Sequence, residues 1–127
     1  MAVVLGFIPT PVGFAALDAA AAEAELRGGP LVLVNVIRDG DEDDPRHAHA
    51  EQLDRAMERL HRLSVRVDVR QVRTDADLSS ALLDVVEEER AELLVLGIRR
   101  DQEVARHLLG TTAQKLLLSA PCDVLIV

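Results

Sequence analysis

The chain has 127 residues, 49% of them apolar, and a formal charge of −8. That length fits one domain, residues 1–127, with a real core, and the apolar share excludes a disordered chain. The acidic balance, with no Trp or Tyr and only Phe7 and Phe14 as aromatics, speaks against a nucleic-acid-binding surface.

No apolar run approaches the ~20 residues of a membrane span. The N-terminus lacks the basic, apolar and small-residue succession of an export signal, so the cytoplasm is the expected compartment. Cys122 is the one cysteine, which rules out an internal disulfide and a multi-cysteine metal site.

Val3–Ile8 is an apolar, β-rich run and opens the chain as a strand. Thr10 and Pro11 form a helix start, Thr as the cap and Pro at the first helical position. Phe14, Leu17, Ala20, Ala21 and Ala24 then recur at helical spacing until Gly28-Gly29-Pro30 breaks the pattern. Leu31–Ile37 reads as a second strand, apolar throughout except Asn35, as in a parallel sheet covered on both faces.

An acidic loop, Arg38 to Pro45, leads to a helix expected over about Arg46–Leu63. Its inner stripe is Ala50, Leu53, Ala56, Met57, Leu60 and Leu63. Val65–Val72 alternates strictly and reads as a half-exposed edge strand. Thr74 or Asp75 is the expected cap of a third helix with Leu78, Ala81, Leu82, Val85 and Val86 inward. Leu93–Leu96 is the fourth strand. A last helix over about Thr111–Ser119 turns Ala113, Leu116 and Leu117 inward, and Asp123–Val127 is the final strand.

Regular alternation of strands and helices with short connections predicts an α/β doubly wound parallel sheet with helices on both faces. Ligands in such sheets sit beyond the carboxyl ends of the strands, where the strand order reverses. The stretch from Gly97 to Thr111 lies there. A strand ending in glycine, an Arg-rich loop and Gly110-Thr111 at a helix start have the layout of an anion cradle.

Gly97, a twelve-residue gap, Gly110-Thr111, a helix and the closing Ala120-Pro121-Cys122-Asp123-Val124 resemble the C-terminal half of a universal stress protein (UspA-like) domain. Element order and lengths extend the resemblance to nearly the whole chain, with Ala15-Ala16-Leu17 also fitting. It implies a five-stranded sheet of order 3-2-1-4-5, a homodimer paired through the C-terminal strand, and in some members ATP or a related adenine nucleotide between strands one and four. Val36 would then line the base pocket, and Gly97, Gly110 and Thr111 the phosphate side.

Two positions depart from the nucleotide-binding pattern. Aligning Val4 to Thr10 with the family's Val-Asp-Gly-Ser-like segment puts Ile8 in place of the acidic residue. The middle glycine of the loop is Arg100, whose backbone lacks glycine's freedom. The expectation is therefore a non-enzymatic regulatory domain with a degenerate ATP motif, no tightly held cofactor and activity through protein contacts. The alternative is an ATP- or AMP-binding protein in which Arg99, Arg100 and Arg106 take over the role of the absent glycine and acid.

Other clusters read as structural. His47 and His49 beside Asp43, Asp44 and Glu51 read as a solvated loop rather than a metal site. Cys122 reads as a small apolar residue rather than a reactive thiol. Ser64, Ser79, Ser80 and Ser119 lack a nucleophile-elbow context, and no P-loop sequence is present. An enzyme of another α/β family would need an acid–base pair at the strand ends, where Asn35, Ile37, Arg38, Arg73 and Thr74 offer none.

Overall fold

The computed structural model describes residues 1–40, 43–98 and 111–127. Five parallel strands form one sheet in the order β3-β2-β1-β4-β5. The strands are β1 (Ala2–Gly6), β2 (Leu31–Arg38), β3 (Val67–Thr74), β4 (Ala91–Leu96) and β5 (Asp123–Ile126). The helices between them are α1 (Pro11–Arg27), α2 (Ala50–Arg59), α3 (Leu78–Glu88) and α4 (Thr111–Ser119). The order matches the one implied by the family resemblance.

Side chains alternate between two cores, as strand geometry requires. Val3, Leu5, Leu31, Leu33, Leu93 and Val95 pack with α1 and α2 residues such as Leu17, Ala20 and Ala56. Val4, Val32, Val34, Leu94 and Leu96 meet Leu82, Val85 and Val86 of α3 and Leu116 of α4. The central strands are buried on both faces, which is why their sequences are apolar without alternation. At the edge β3 alternates instead, and Arg70 pairs there with Glu88 and Glu89.

Thr10 caps α1 as expected: its Oγ1 accepts from the Gly13 N–H at 3.1 Å, with Pro11 at the first position. Phe14 is only half-buried, its ring edge-on to Phe7 at 5.3 Å, and the innermost line of α1 is Gly13, Ala16, Leu17, Ala20 and Ala24. Small residues on that line let the helix backbone lie close to the sheet.

Four sequence expectations are corrected. Helix α2 begins at Ala50 rather than Arg46, because the backbone of residues 44–48 is bonded elsewhere. Asp44 accepts from the Arg46 N–H, and Asn35 takes both the Arg46 carbonyl and the Ala48 N–H. The helix stops at Arg59 rather than Leu63, as the Leu60, His61 and Leu63 N–H groups turn to carbonyls three residues back. Helix α3 is capped by Asp77, whose carboxylate accepts from the Ser79 N–H, while Thr74 closes the preceding turn by accepting from Ala76. On α4 only Leu116 is buried; Leu117 is 38% and Leu118 87% exposed, on the part of α4 turned away from α3 and the core.

Candidate functional site

The strand order reverses between β1 and β4, so the crevice beyond their carboxyl ends is the place for a ligand. Of the residues singled out from sequence, Val36, Gly97 and Thr111 are described, whereas Arg99, Arg100, Arg106 and Gly110 lie outside the described residues. Gly97 follows β4 and Thr111 opens α4 with an exposed side chain.

The lack of a side chain at Gly97 has a packing cause. A Cβ there would stand 2.7 Å from the Val12 carbonyl oxygen and 3.3 Å from the Ala16 Cβ. The first turn of α1 presses directly on the end of β4. The same turn presses on the end of β1, where a Cβ on Gly13 would fall 1.7 Å from the Ile8 carbonyl oxygen. That oxygen also accepts from the Thr10 N–H at 2.9 Å. Ile8 itself is half-buried and offers an apolar side chain where an acceptor would be needed for a ribose or base.

Val36 is half-buried near the carboxyl end of β2, on the α3 face of the sheet. It lines a chamber of about 10 Å³ together with Ile37, Arg38, Asp44, Arg46, His47 and Leu78. That volume holds about one water molecule. The Asp44 carboxylate binds Arg46 through Nε at 3.0 Å and Nη2 at 2.6 Å and also takes its backbone N–H at 2.8 Å. These bonds hold the Asp44 carboxyl down from its usual 3.8 to about 2.

Asn35 stands next to Val36 but on the α1 face, 1% exposed. Its amide donates to the carbonyls of Phe7 and Arg46 at 2.9 and 2.8 Å and accepts from the Ala48 N–H at 3.0 Å. Gln71, its register partner on β3, donates to the Asn35 oxygen at 3.3 Å and to the Ala48 carbonyl at 2.6 Å. The signal for this hub was present in the sequence as the single polar residue inside LVLVNVI. The Asp44–Arg46 pair left only a two-residue spacing inside a charged loop.

The His47 and His49 rings lie tilted with centroids 4.6 Å apart. Among the described residues, no group of three His, Cys, Asp or Glu side chains could hold a metal ion. Cys122 is half-buried beside β4, and burial pushes its thiol pKa up, away from reactivity. Among the described residues no helix is long and apolar enough to cross a membrane.

The profile of the universal stress protein family matches residues 2–127. The chain belongs to this family. A universal stress protein of Mycolicibacterium smegmatis is 34% identical over 125 residues, 98% of this chain and 95% of its own length. A universal stress protein of Mycobacterium tuberculosis is 34% identical over 139 residues, 99% of this chain but only 48% of its own, so the chain spans about half of that relative. Among solved structures, a universal stress protein in complex with cAMP aligns over 100% of this chain and 95% of its own, with a TM-score of 0.79 and 23% identity. One from Archaeoglobus fulgidus in complex with dAMP aligns over 98% of this chain and 94% of its own, at 0.71 and 21%. Identities this low support the α/β fold and carry no ligand across.

Proposed function

We propose that residues 1–127 work as one universal stress protein domain that acts without catalysis, through self-association and protein contacts in the cytoplasm, and does not hold adenine nucleotides tightly. The observation that carries this reading is the small size of the chamber at Val36, about 10 Å³, which Asp44 and Arg46 also line. A base placed against Val36 needs that space. Ile8 supports the same reading, because it gives a bound nucleotide no acceptor at the end of β1. Thermal-shift titration with ATP, AMP and cAMP tests it: no shift is expected, and saturable stabilisation in the micromolar range would overturn it.

A second reading is favoured by the solved relatives that hold cAMP and dAMP. Here Gly97, Gly110 and Thr111 cradle the phosphates of ATP or AMP, while the Arg99 and Arg100 side chains bind the anion that a middle glycine would meet with its backbone. Arg100→Ala should then weaken binding, and unchanged binding would remove the arginine from that role.

Self-association is assigned to β5. Val124, Leu125, Ile126 and Val127 are half-buried on an edge that no other described strand covers, and Leu117 and Leu118 are exposed on the neighbouring helix. A largely apolar edge, with Asp123 at its start, is a template for pairing with a second copy. Light scattering should give the mass of a dimer. Leu125→Arg should give the mass of a monomer, and a monomeric unmodified chain at high micromolar concentration would refute the assignment.

A further inference from the structure

Helices α1 and α2 cover the same face of the sheet and share one core. Each returns between parallel strands, so the two helices run parallel to each other. A groove of about 390 Å³ lies between them, lined by Pro11, Phe14, Ala15 and Asp18 of α1 and by Arg55 and Arg59 of α2. It opens on the solvent side of the helix layer: all of these residues are exposed except the half-buried Phe14. One arginine of the groove is engaged and the other is not. The Arg59 guanidinium is held by the Asp18 carboxylate, with Nε at 3.2 Å, and stands over the Phe14 ring at 5.5 Å from its centre. One turn back along both helices, Arg55 lines the groove with Phe14 and Ala15. Ala15 stands three residues before Asp18, where an acid would repeat the ion pair, and it carries no charge. The first turn of α1 contains no acidic residue either. Among the described residues Arg55 has no ion-pair or hydrogen-bond partner; even Glu51, one turn before it on α2, does not engage it.

The groove therefore sets an apolar strip, Pro11, Phe14 and Ala15, beside an unengaged guanidinium. That pattern complements a carboxylate next to an apolar side chain. A trough between two helices, with exposed walls, would leave a small molecule largely in water, whereas it suits a chain segment laid along it. We propose that this groove docks an acidic peptide segment of a partner protein, with a carboxylate on Arg55 and the adjacent apolar side chain against Phe14 and Pro11. Asp18 is a positioning residue that keeps Arg59 on the Phe14 ring. The proposal rests on the reading that the domain works through protein contacts, and it names the chemistry of one such contact. The chain's net charge of −8 repels an acidic segment over most of the surface, so the local arginines select the place where it can dock.

NMR titration of the isotope-labelled full chain with an end-blocked hexapeptide of alternating glutamate and leucine tests this. Saturable shifts are expected at the Ala15 amide and the Arg55 side-chain Nε–H, with a Kd of about 1 mM or tighter. The matching peptide of glutamine and leucine should bind about fivefold more weakly. Arg55→Gln should lower the affinity for the glutamate peptide to that of the glutamine peptide. Ala15→Glu supplies the missing carboxylate from α1 itself, so it should bind the glutamate peptide about fivefold more weakly than Ala15→Gln, which has the same length and no charge. Position 15 is exposed, so both variants keep the fold. No saturable shift at Ala15 and Arg55 would overturn the proposal. Equal affinities for the two peptides, or for the two Ala15 variants, would overturn it as well. None of these results bears on self-association through β5, which light scattering judges separately.

Discussion

The two sides of the crevice are packed in different ways. On the α1 side, backbone presses on backbone: Gly13 lies against the Ile8 carbonyl and Gly97 against the Val12 carbonyl, with no room for a Cβ. On the β2 side, side chains make the contacts: Asn35 and Gln71 fasten residues 44–48, and Asp44 pairs with Arg46. Backbone contacts of the first kind yield only if α1 moves, whereas hydrogen bonds and ion pairs of the second kind can exchange partners.

Substitutions separate the two sides. The largest effect is expected for Gly13→Val, which drives a side chain into the Ile8 carbonyl. The first turn of α1 must shift, at a cost of about 3 kcal/mol or more in chemical denaturation. Asn35→Leu comes next. It has a similar size but leaves the Phe7 and Arg46 carbonyls and the Ala48 N–H without their partner, a loss of about 2–3 kcal/mol. Exchange at the Ala48 amide should accelerate in that variant, which ties the loss to residues 44–48. Gly97→Ala is expected to cost about 1–2 kcal/mol, since a 2.7 Å approach is relieved by a smaller displacement. It should leave exchange at Ala48 unchanged. If Gly97→Ala instead loosened residues 44–48, the two sides would not be independent.

The smallest effect is a pH dependence. The folded pKa of Asp44, about 2, lies below its usual 3.8, so the carboxylate's contribution to stability is present above about pH 4. It fades as the pH falls through about 2. The stability difference between the unmodified chain and Asp44→Asn should therefore be largest at neutral pH and shrink in acid. Asp77 is held near 2 as well, by Lys115 and the Ser79 N–H, so the difference between the two chains is the quantity to measure. A difference that did not depend on pH would mean that the Asp44–Arg46 bonds add nothing in solution.

Most of the architecture was legible in the sequence because it rests on local signals. Apolar runs marked the strands, Thr10-Pro11 marked the start of α1, and the alternation of β3 placed it at an edge. The departures occur where a distant partner decides. Helix propensity and apolar spacing extend α2 back to Arg46, but Asn35, eleven residues earlier, takes the carbonyl that the helix would need. Leu117 sits at helical spacing from Ala113, yet in the fold its side chain is exposed.

The candidate site was legible in outline only. Gly97 has the spacing of an anion loop, and in the fold its missing side chain also makes room for Val12. Val36 stands out through the family resemblance rather than through any property of its own. Asp44 and Arg46 line the Val36 chamber, and nothing in their spacing announces it, because the chamber joins a strand end to a loop.

Isothermal titration of the unmodified full chain with ATP at neutral pH tests the proposed lack of tight nucleotide binding most directly. That reading predicts no saturable heat, corresponding to a Kd weaker than about 1 mM. A single-site isotherm in the micromolar range would contradict it.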